Sequence, residues 1–355
     1  MEIIMTKTEK IYNILKNRLE EGFYPEDSKF PSESLLADEF NANKMTINKI
    51  VSMLAEQNYL IRGLRGAGTK VAKLSDRVRG TLAFLSPLTA YTIQVLRGVY
   101  AEAMRFNFHV IVESPPLPDL EHRLQMLKKS GIKGVISVTY GKPALPDGMR
   151  LFCVDTYPEG DDTQTRFINS DNYQGGAQMM REIMRRGHRE ILIFSSERFS
   201  FTHNAPQTPR VRGFHDVMLE NGITDFEERT FYSAFKSAED TKYFLETYLE
   251  RYPDTTLIAA DSDGSAAMLH TMALKLGIDC PGKIALTGFG NVSPLPIANV
   301  DQNPERQGEL AARYLIDYIL NDADNAPLSV SVETSLTNIE QIPIILNHKK
   351  EHKND

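Results

Sequence analysis

The first part of the chain contains three short segments in which apolar residues recur at helical spacing. The first runs from about Thr6 to Glu20 and should end before Gly22 and Pro25. Ser32 and Asn43 stand directly before the other two segments, where each can act as an N-cap. The spacing predicts three helices, with apolar positions at Ile11, Ile14, Leu15 and Leu19, then Leu35, Leu36 and Phe40, then Ile47, Ile50, Val51 and Leu54.

Two short strand-like segments follow, Tyr59–Arg62 and Thr69–Ala72, with glycines at 63, 66 and 68 between them. Three helices followed by such a hairpin predict a winged helix-turn-helix for residues 1–72. This fold places its third helix and the tip of its hairpin against a DNA duplex. The polar stretch 73–80 is the predicted linker.

From Thr81 onward, apolar strands alternate with amphipathic helices, which predicts parallel sheets covered by helices on both faces. The alternation occurs in two series, so residues 81–346 should form two doubly wound subdomains with a ligand site beyond the carboxyl ends of the strands. The polar tail 347–355 is expected to fray. Predicted strands are Leu82–Leu85, His109–Val112, Gly134–Val138, Leu151–Val154, Ile191–Phe194, Leu257–Ala260 and Ile284–Thr287; predicted helices are 91–106, 119–129, 174–186, 209–220, 239–250 and 263–275.

Positive charge is concentrated in the predicted DNA-binding segment, although the 355-residue chain has a formal net charge of −7. Residues 1–42 contain 5 Lys/Arg and 9 Asp/Glu, a balance of −4, whereas residues 43–79 contain 8 Lys/Arg against Glu56 and Asp76, a balance of +6. This distribution favours a nucleic-acid contact by the third helix and the hairpin.

The sequence contains no catalytic triad spacing, no His/Cys metal cluster and no phosphate-binding glycine loop, so we expect no enzyme activity, metal or cofactor. His188 lies between a predicted helix and a predicted strand, where a packing role is expected. No run is long and apolar enough to cross a membrane, and two distant cysteines fit a reducing compartment, so a cytoplasmic location is expected.

Residues 1–72 resemble the GntR-type winged helix. The matching residues are Pro31-Ser32-Glu33, Leu36-Ala37, Thr46-Ile47, Leu54 and Gly66-Ala67-Gly68-Thr69. The family usually has arginine where Ser34 and Asn48 stand and a Ser-Arg pair at Asn43-Lys44, so the resemblance implies the scaffold and not the operator sequence.

Residues 81–346 resemble the sugar-sensing domain of LacI/GalR regulators, which has the fold of periplasmic sugar-binding proteins. The combination of this domain with a GntR-type winged helix, called the head below, is similar to the domain arrangement of arabinose-type transcriptional repressors. The matches are Arg97-Gly98, Gly131-Ile132-Lys133-Gly134-Val135-Ile136, Asp171-Asn172, Gly175, Gly187-His188-Arg189, Arg210, Gly213-Phe214, Asp261, Leu276-Gly277, Gly288-Phe289, Gln302-Asn303-Pro304 and Gly308.

Candidate DNA-binding residues lie on the recognition helix and near the wing. Asn48 can pair with adenine, Lys44 and Lys49 can reach guanine, and Ser32 and Thr46 can bind phosphate. The alternative is a solvated charged surface. The full predicted set is Ser32, Glu33, Ser34, Asn43, Lys44, Thr46, Asn48, Lys49, Arg65, Gly66, Gly68 and Lys70.

The resemblance to LacI/GalR regulators implies an effector site at Tyr91, Gln94, Asp155, Arg210, Asp261, Asn291 and Gln302. Sugar hydroxyls need polar partners such as Arg210 and Asp155, although a salt bridge is an alternative role for Arg210. The family commonly has Asn-Asp at Ala260-Asp261 and Asp at Gly290. Asp261 could instead cap a helix, and Asp263 or Asn291 could replace the missing groups.

These features predict a transcriptional regulator, most simply a repressor of carbohydrate-utilisation genes that is modulated by a sugar-like effector. A homodimer is expected to bind an inverted-repeat operator in double-stranded DNA, because two-fold protein symmetry matches such a site. A sugar-binding protein without a regulatory role is the alternative hypothesis, but it leaves the winged helix without a purpose. No membrane partner is expected.

Overall fold

The computed structural model describes residues 6–63, 68–73, 78–157, 165–196, 207–233, 237–321 and 326–345. The chain divides into two compact units. One comprises Met1–Thr81 with Ala103–Val110, and the other comprises Leu82–Glu102 with Ile111–Asp355. Within the described residues, no helix has both the length and the apolar character needed to cross a membrane.

The N-terminal unit begins with the predicted helices, and the second and third have the predicted caps. Thr6 caps the first helix in a capping box with Glu9, the Ser32 hydroxyl accepts from the Leu35 amide, and the Asn43 side chain accepts from the Met45 amide. The elements are α1 (Lys7–Glu20), α2 (Glu33–Glu39), α3 (Lys44–Glu56), β1 (Leu60–Arg62) and β2 (Thr69–Val71).

The apolar stripe of α3 is fully buried, as the spacing predicts. The prediction for α1 is wrong at Ile14, which is 43% exposed. Ile11, Leu15 and Leu19 follow one another at intervals of four residues and face the core. Ile14 lies on the flank of that row, where no neighbouring element of this core covers it fully.

The wing contains the predicted hairpin and one further pairing that the sequence did not indicate. β1 and β2 pair antiparallel, with Leu60 opposite Val71. The segment before α2 adds to the other side of β2, because Phe30 N–H donates to the Thr69 carbonyl and Val71 N–H donates to the Ser28 carbonyl. This segment ties the wing to the start of α2.

The first subdomain of the C-terminal part is a six-stranded sheet in the order β13-β7-β6-β5-β3-β4. β3, β5, β6, β7 and β13 pair in parallel. Its elements are β3 (Gly80–Leu85), α4 (Ala90–Arg105), β4 (Phe108–Glu113), α5 (Leu120–Lys129), β5 (Gly134–Val138), β6 (Arg150–Val154), β7 (Arg166–Ser170), α10 (Pro304–Asn321) and β13 (Ser329–Val332).

The second subdomain is another six-stranded sheet, in the order β14-β12-β11-β10-β8-β9. Its strands are parallel except β14, which is antiparallel to β12. Its elements are α6 (Asn172–Arg185), β8 (Ile191–Ser195), α7 (Gln207–Glu220), β9 (Thr230–Tyr232), α8 (Ala238–Arg251), β10 (Leu257–Ala260), α9 (Asp263–Leu276), β11 (Ala285–Phe289), β12 (Ala298–Asp301) and β14 (Ser335–Thr337).

Both faces of the second sheet are covered by helices, which explains its continuous apolar strands. Alternate residues of β8 belong to different cores: Ile191 and Ile193 pack with α6 and α7, whereas Leu192 and Phe194 pack with α8 and α9. The chain passes between the sheets from β7 to α6, from β12 to α10, and from β13 to β14. The fold therefore contains the two doubly wound subdomains that the alternation predicts.

We expect Gly98→Ala to destabilise the protein by about 1–3 kcal/mol through overpacking. A Cβ at Gly98 in α4 would lie 1.8 Å from the Glu305 carbonyl oxygen in α10, so the two helices would have to separate. Gly264→Ala in α9 is the matched control, because the nearest atom to its Cβ would be 3.9 Å away. That control should be neutral or slightly stabilising, since alanine favours helix. Urea denaturation of both variants gives the comparison, and equal effects would contradict the close packing of α4 on α10.

Candidate functional site

Arg210, at the start of α7, lies at the centre of a buried polar cluster. Its Nε donates to Asn172 Oδ1 at 2.8 Å, and its Nη1 donates to the main-chain carbonyl of Asp261 at 3.0 Å. Its Nη2 lies 3.8 Å from Asp155 Oδ1 in the other subdomain. The guanidinium also lies over the ring of Phe289, 4.2 Å from the centroid. Arg210 thus connects four separate parts of the chain.

Asp155 and Gln302 approach Arg210 from two other strand ends. Asp155 follows β6 and Gln302 follows β12, and the Gln302 amide nitrogen is 3.5 Å from Asp155 Oδ1. Asp155 adopts a φ of 57°, which is uncommon for a residue other than glycine and frequent at functional sites. Burial raises the pKa of Asp155, while Arg210 opposes this rise by favouring the carboxylate. Asp155, Asn172, Arg210, Phe289 and Gln302 are called the cleft site below.

Two tyrosines lie beside the cleft site. Tyr157 accepts a hydrogen bond from the Asn172 amide at 2.9 Å, and Tyr91 is 3.3 Å from Gln307 Oε1. Burial raises the pKa of both phenols, and the Asp155 charge adds to the rise. Both hydroxyls therefore stay protonated and can donate or accept hydrogen bonds.

The carboxylate of Asp261 is fully buried and is bound by serines. Ser195 and Ser265 donate through their hydroxyls, and Ser196 donates through its hydroxyl and its amide, at 2.6–3.0 Å. Ser262, rather than Asp261, caps α9. The group by which Asp261 contacts Arg210 is its main-chain carbonyl. The ligand contact predicted for its side chain stays a prediction.

Asp263 is similarly occupied within the protein. Its Oδ2 accepts from the amides of Val292 and Ser293 at 2.6 and 2.9 Å, and its Oδ1 accepts from the Asn299 side chain at 2.6 Å. A Cβ at position 290 would lie 3.4 Å from Asp263 Oδ2, so this carboxylate stands next to Gly290. It holds the loop after β11 in place.

The remaining predicted effector residues have these positions. The Asn291 amide lies between Asp301 and Thr337, at 3.2 Å from each. Gln94 is half-buried on α4. Sequence reasoning missed Tyr157 and the roles of Asn172 and Phe289, although the last two stand in motifs that carry the family resemblance. His188 has the expected packing role, because its ring contacts Thr256 and the Pro343 carbonyl and burial lowers its pKa.

On the N-terminal unit, Lys44 and Lys49 are exposed on α3, and Lys70 is exposed on β2. Asn48 donates to Glu33 Oε1 at 2.8 Å, and Arg62 donates to the Asn48 main-chain carbonyl at 3.1 Å. Arg62 also lies 3.5 Å from Glu33. These contacts orient Asn48 from two neighbouring elements.

The other predicted DNA-binding residues are also located. Ser32 and Ser34 are exposed at the start of α2, Thr46 is half-buried, and Gly68 is exposed before β2. Asn43 is exposed and uses its side chain as the cap of α3. Arg65 and Gly66 lie outside the described residues. Among the described residues, no group of His, Cys, Asp and Glu side chains could hold a metal ion.

Two family models match this chain. One, described as bacterial regulatory proteins of the gntR family, matches residues 7–71. The other, described as a periplasmic binding protein-like domain, matches residues 180–338. The chain joins a GntR-family head to a periplasmic-binding-protein-like domain. Residues 7–71 and residues 180–338, which include the second sheet, therefore match families whose combination is that of a transcriptional regulator.

Individual proteins are similar to this chain over most of its length or over the head alone. The chain is 20% identical over 345 residues to the arabinose metabolism transcriptional repressor of Halalkalibacterium halodurans, covering 88% of this chain and 89% of that protein. The GntR-family head is 40% identical over 65 residues to the HTH-type transcriptional regulator GmuR of Bacillus subtilis, 18% of this chain and 27% of that protein. The structure of the transcriptional regulator CelR–cellobiose complex has a TM-score of 0.60 at 16% identity, covering 87% of this chain and 98% of that one, and shows a shared fold.

We expect Asp263→Ala to lower the free energy of unfolding by about 2–4 kcal/mol. The substitution removes a charged acceptor from two partly buried backbone amides and from Asn299. Asp254→Ala, at an exposed turn of the same subdomain, removes the same charge and should change stability by less than about 0.5 kcal/mol. Chemical denaturation of the full chain measures both, and a stable Asp263→Ala variant would show that the loop after β11 does not depend on this carboxylate.

Proposed function

We propose that this protein is a ligand-responsive repressor of carbohydrate-utilisation genes. Its GntR-family head binds an inverted-repeat operator, and a sugar-like effector occupies the cleft site and modulates that binding. The protein acts in the cytoplasm as a homodimer. The observation that carries the proposal is Arg210, because one buried cation contacts both subdomains of a sensor domain joined to a DNA-binding head.

The exposed side chains of α3 support the operator contact. Lys44 and Lys49 supply charge for phosphate or guanine, and Asn48 has one amide hydrogen bonded to Glu33 and a carbonyl oxygen suited to adenine N6. Glu33 thus acts as a positioning residue for Asn48. Met45 is 79% exposed at the start of α3 and can contact a thymine methyl group.

The cleft site supports a coupling between effector and operator. Arg210 is bound to Asn172 and Asp261 within the second subdomain and faces Asp155 of the first. A ligand that pairs with these groups changes the relative stability of open and closed arrangements of the two sheets. By linkage, operator binding changes effector affinity by the same factor as effector changes operator affinity.

An exposed apolar surface on the first subdomain supports the homodimer. Ile93 and Tyr100 lie seven residues apart on α4, which places them on one face of that helix. A two-fold contact through this face of α4 would bury the same residues on both copies and pair two heads for an inverted repeat.

Lys44→Ala should weaken operator binding by about 1–3 kcal/mol if the lysine reads a base, with relaxed preference at one position of each half-site. A phosphate contact would instead weaken binding to all sequences equally and reduce the salt dependence. Gel-shift titrations on an operator selected from random DNA measure both effects. Lys10→Ala, exposed on α1, is the control and should bind as the wild type does. Unchanged affinity and salt dependence for Lys44→Ala would contradict a DNA contact by the start of α3.

Arg210→Lys should reduce effector affinity about tenfold to a hundredfold while leaving operator binding intact without effector. Lysine keeps the positive charge beside Asp155. It lacks the planar guanidinium that donates to Asn172 and to the Asp261 carbonyl at the same time. The measurement is operator release across a sugar panel that begins with arabinose and cellobiose. Wild-type release of Arg210→Lys by the same sugar would show that Arg210 has only a structural role.

A further inference from the structure

We propose that the cleft site selects an uncharged, hydroxyl-rich effector, and that Asp155 excludes anionic ligands such as sugar phosphates and sugar acids. The inference rests on the proposed function, since it concerns the ligand of the same site. It follows from the way in which the charged groups around the cleft site are already paired.

The positive charge of Arg210 is compensated within the protein. Its side chain is 3% exposed, and two of its nitrogens donate to Asn172 and to the Asp261 carbonyl. The third faces the carboxylate of Asp155, which is 12% exposed. An anion that approached Arg210 would therefore meet the buried negative charge of Asp155 at the same position.

The separation of Arg210 and Asp155 matches a group that both donates and accepts. Nη2 and Oδ1 are 3.8 Å apart, which is longer than a direct charged hydrogen bond. A hydroxyl can accept from the guanidinium and donate to the carboxylate. Ionised carboxylate and phosphate oxygens only accept, and an ammonium only donates, so each would satisfy one partner and repel the other.

The N-terminus of α9 is the second feature near Arg210 that could attract an anion. Two carboxylates of the protein already occupy it. Asp261, directly before the cap, is bound by three serines, and Asp263, in the first turn, is bound by the amides of Val292 and Ser293. A phosphate at this helix end would be repelled by both acids.

The test uses the full-length protein and titration calorimetry at low salt with D-glucuronate, D-galacturonate, D-glucose 6-phosphate and inorganic phosphate. We expect no anion binding by the wild type. Asp155→Asn should bind at least one anion about tenfold or more tightly than the wild type does, because Arg210 is then uncompensated. The double variant Asp155→Asn/Arg210→Gln should lose that gain.

Asp147→Asn is the matched control. Asp147 is exposed in the turn before β6, at the opposite end of the strand that Asp155 follows, and its removal makes the same change in net charge. This control should gain no anion affinity. A gain equal to that of Asp155→Asn would overturn the proposal, because net charge alone would then explain the effect.

Two further outcomes would also overturn the proposal. One is anion binding by the wild type that Arg210→Gln removes, and the other is a folded Asp155→Asn variant that gains no anion affinity.

If the variants do not fold, the affinities of the wild type for glucose and galactose are compared with its affinities for the corresponding uronates. Tighter binding of a uronate contradicts the proposal, and binding of a neutral sugar without binding of its uronate supports it. Operator binding is measured separately by gel shift. Failure of operator binding would count against the proposed function and leave the charge selectivity standing.

Discussion

The burial of one guanidinium constrains much of the C-terminal part of this protein. A buried charge is tolerated only when hydrogen-bond acceptors and an opposite charge surround it. Arg210 obtains them from Asn172 at the start of α6, from the carbonyl after β10 and from Asp155 after β6. These groups meet because parallel strands end at one edge of each sheet, so the topology itself assembles the partners.

The packing of α6 against α7 sets the position of this arginine. A Cβ at Gly176 in α6 would lie 2.3 Å from the main-chain carbonyl oxygen of Arg210 in α7, so only glycine allows the helices to approach this closely. The same approach brings the Arg210 side chain within hydrogen-bond distance of Asn172. The hydrogen bond between Arg210 and Asn172 therefore depends on the close backbone contact between α6 and α7.

The charged residues of the GntR-family head differ from those of the cleft site in their exposure to water. Lys44 and Lys49 remain exposed on α3, where in the proposed operator contact phosphates would replace their water. The acidic residue of the head near the recognition surface, Glu33, is paired with Asn48 and Arg62. Pairing limits the repulsion that a free carboxylate would exert on DNA and fixes the amide of Asn48. Exposed charge suits reversible, salt-sensitive binding, whereas the compensated charge of the cleft suits discrimination between ligands.

The sequence by itself determined the elements that local interactions specify. The caps Ser32 and Asn43, the buried stripe of α3 and the strands Gly134–Val138 and Leu257–Ala260 all agree with the structure, because capping and apolar periodicity act over a few residues. The positive segment around α3 and the alternation of strands with helices after residue 81 also follow from the sequence.

Only the tertiary structure decided which distant groups meet. The short strands β7, β9, β12, β13 and β14, and the return of α10 to the first sheet, were not predicted from the sequence. The pairing of Asp261 with Ser195, 66 residues earlier, depends on neighbouring strands ending together. Ile14 is exposed because the surrounding helices, not its own spacing, define the core. Contacts between residues that are distant in the sequence determine the partner of each polar group. The periodicity of apolar residues along the chain does not predict those partners.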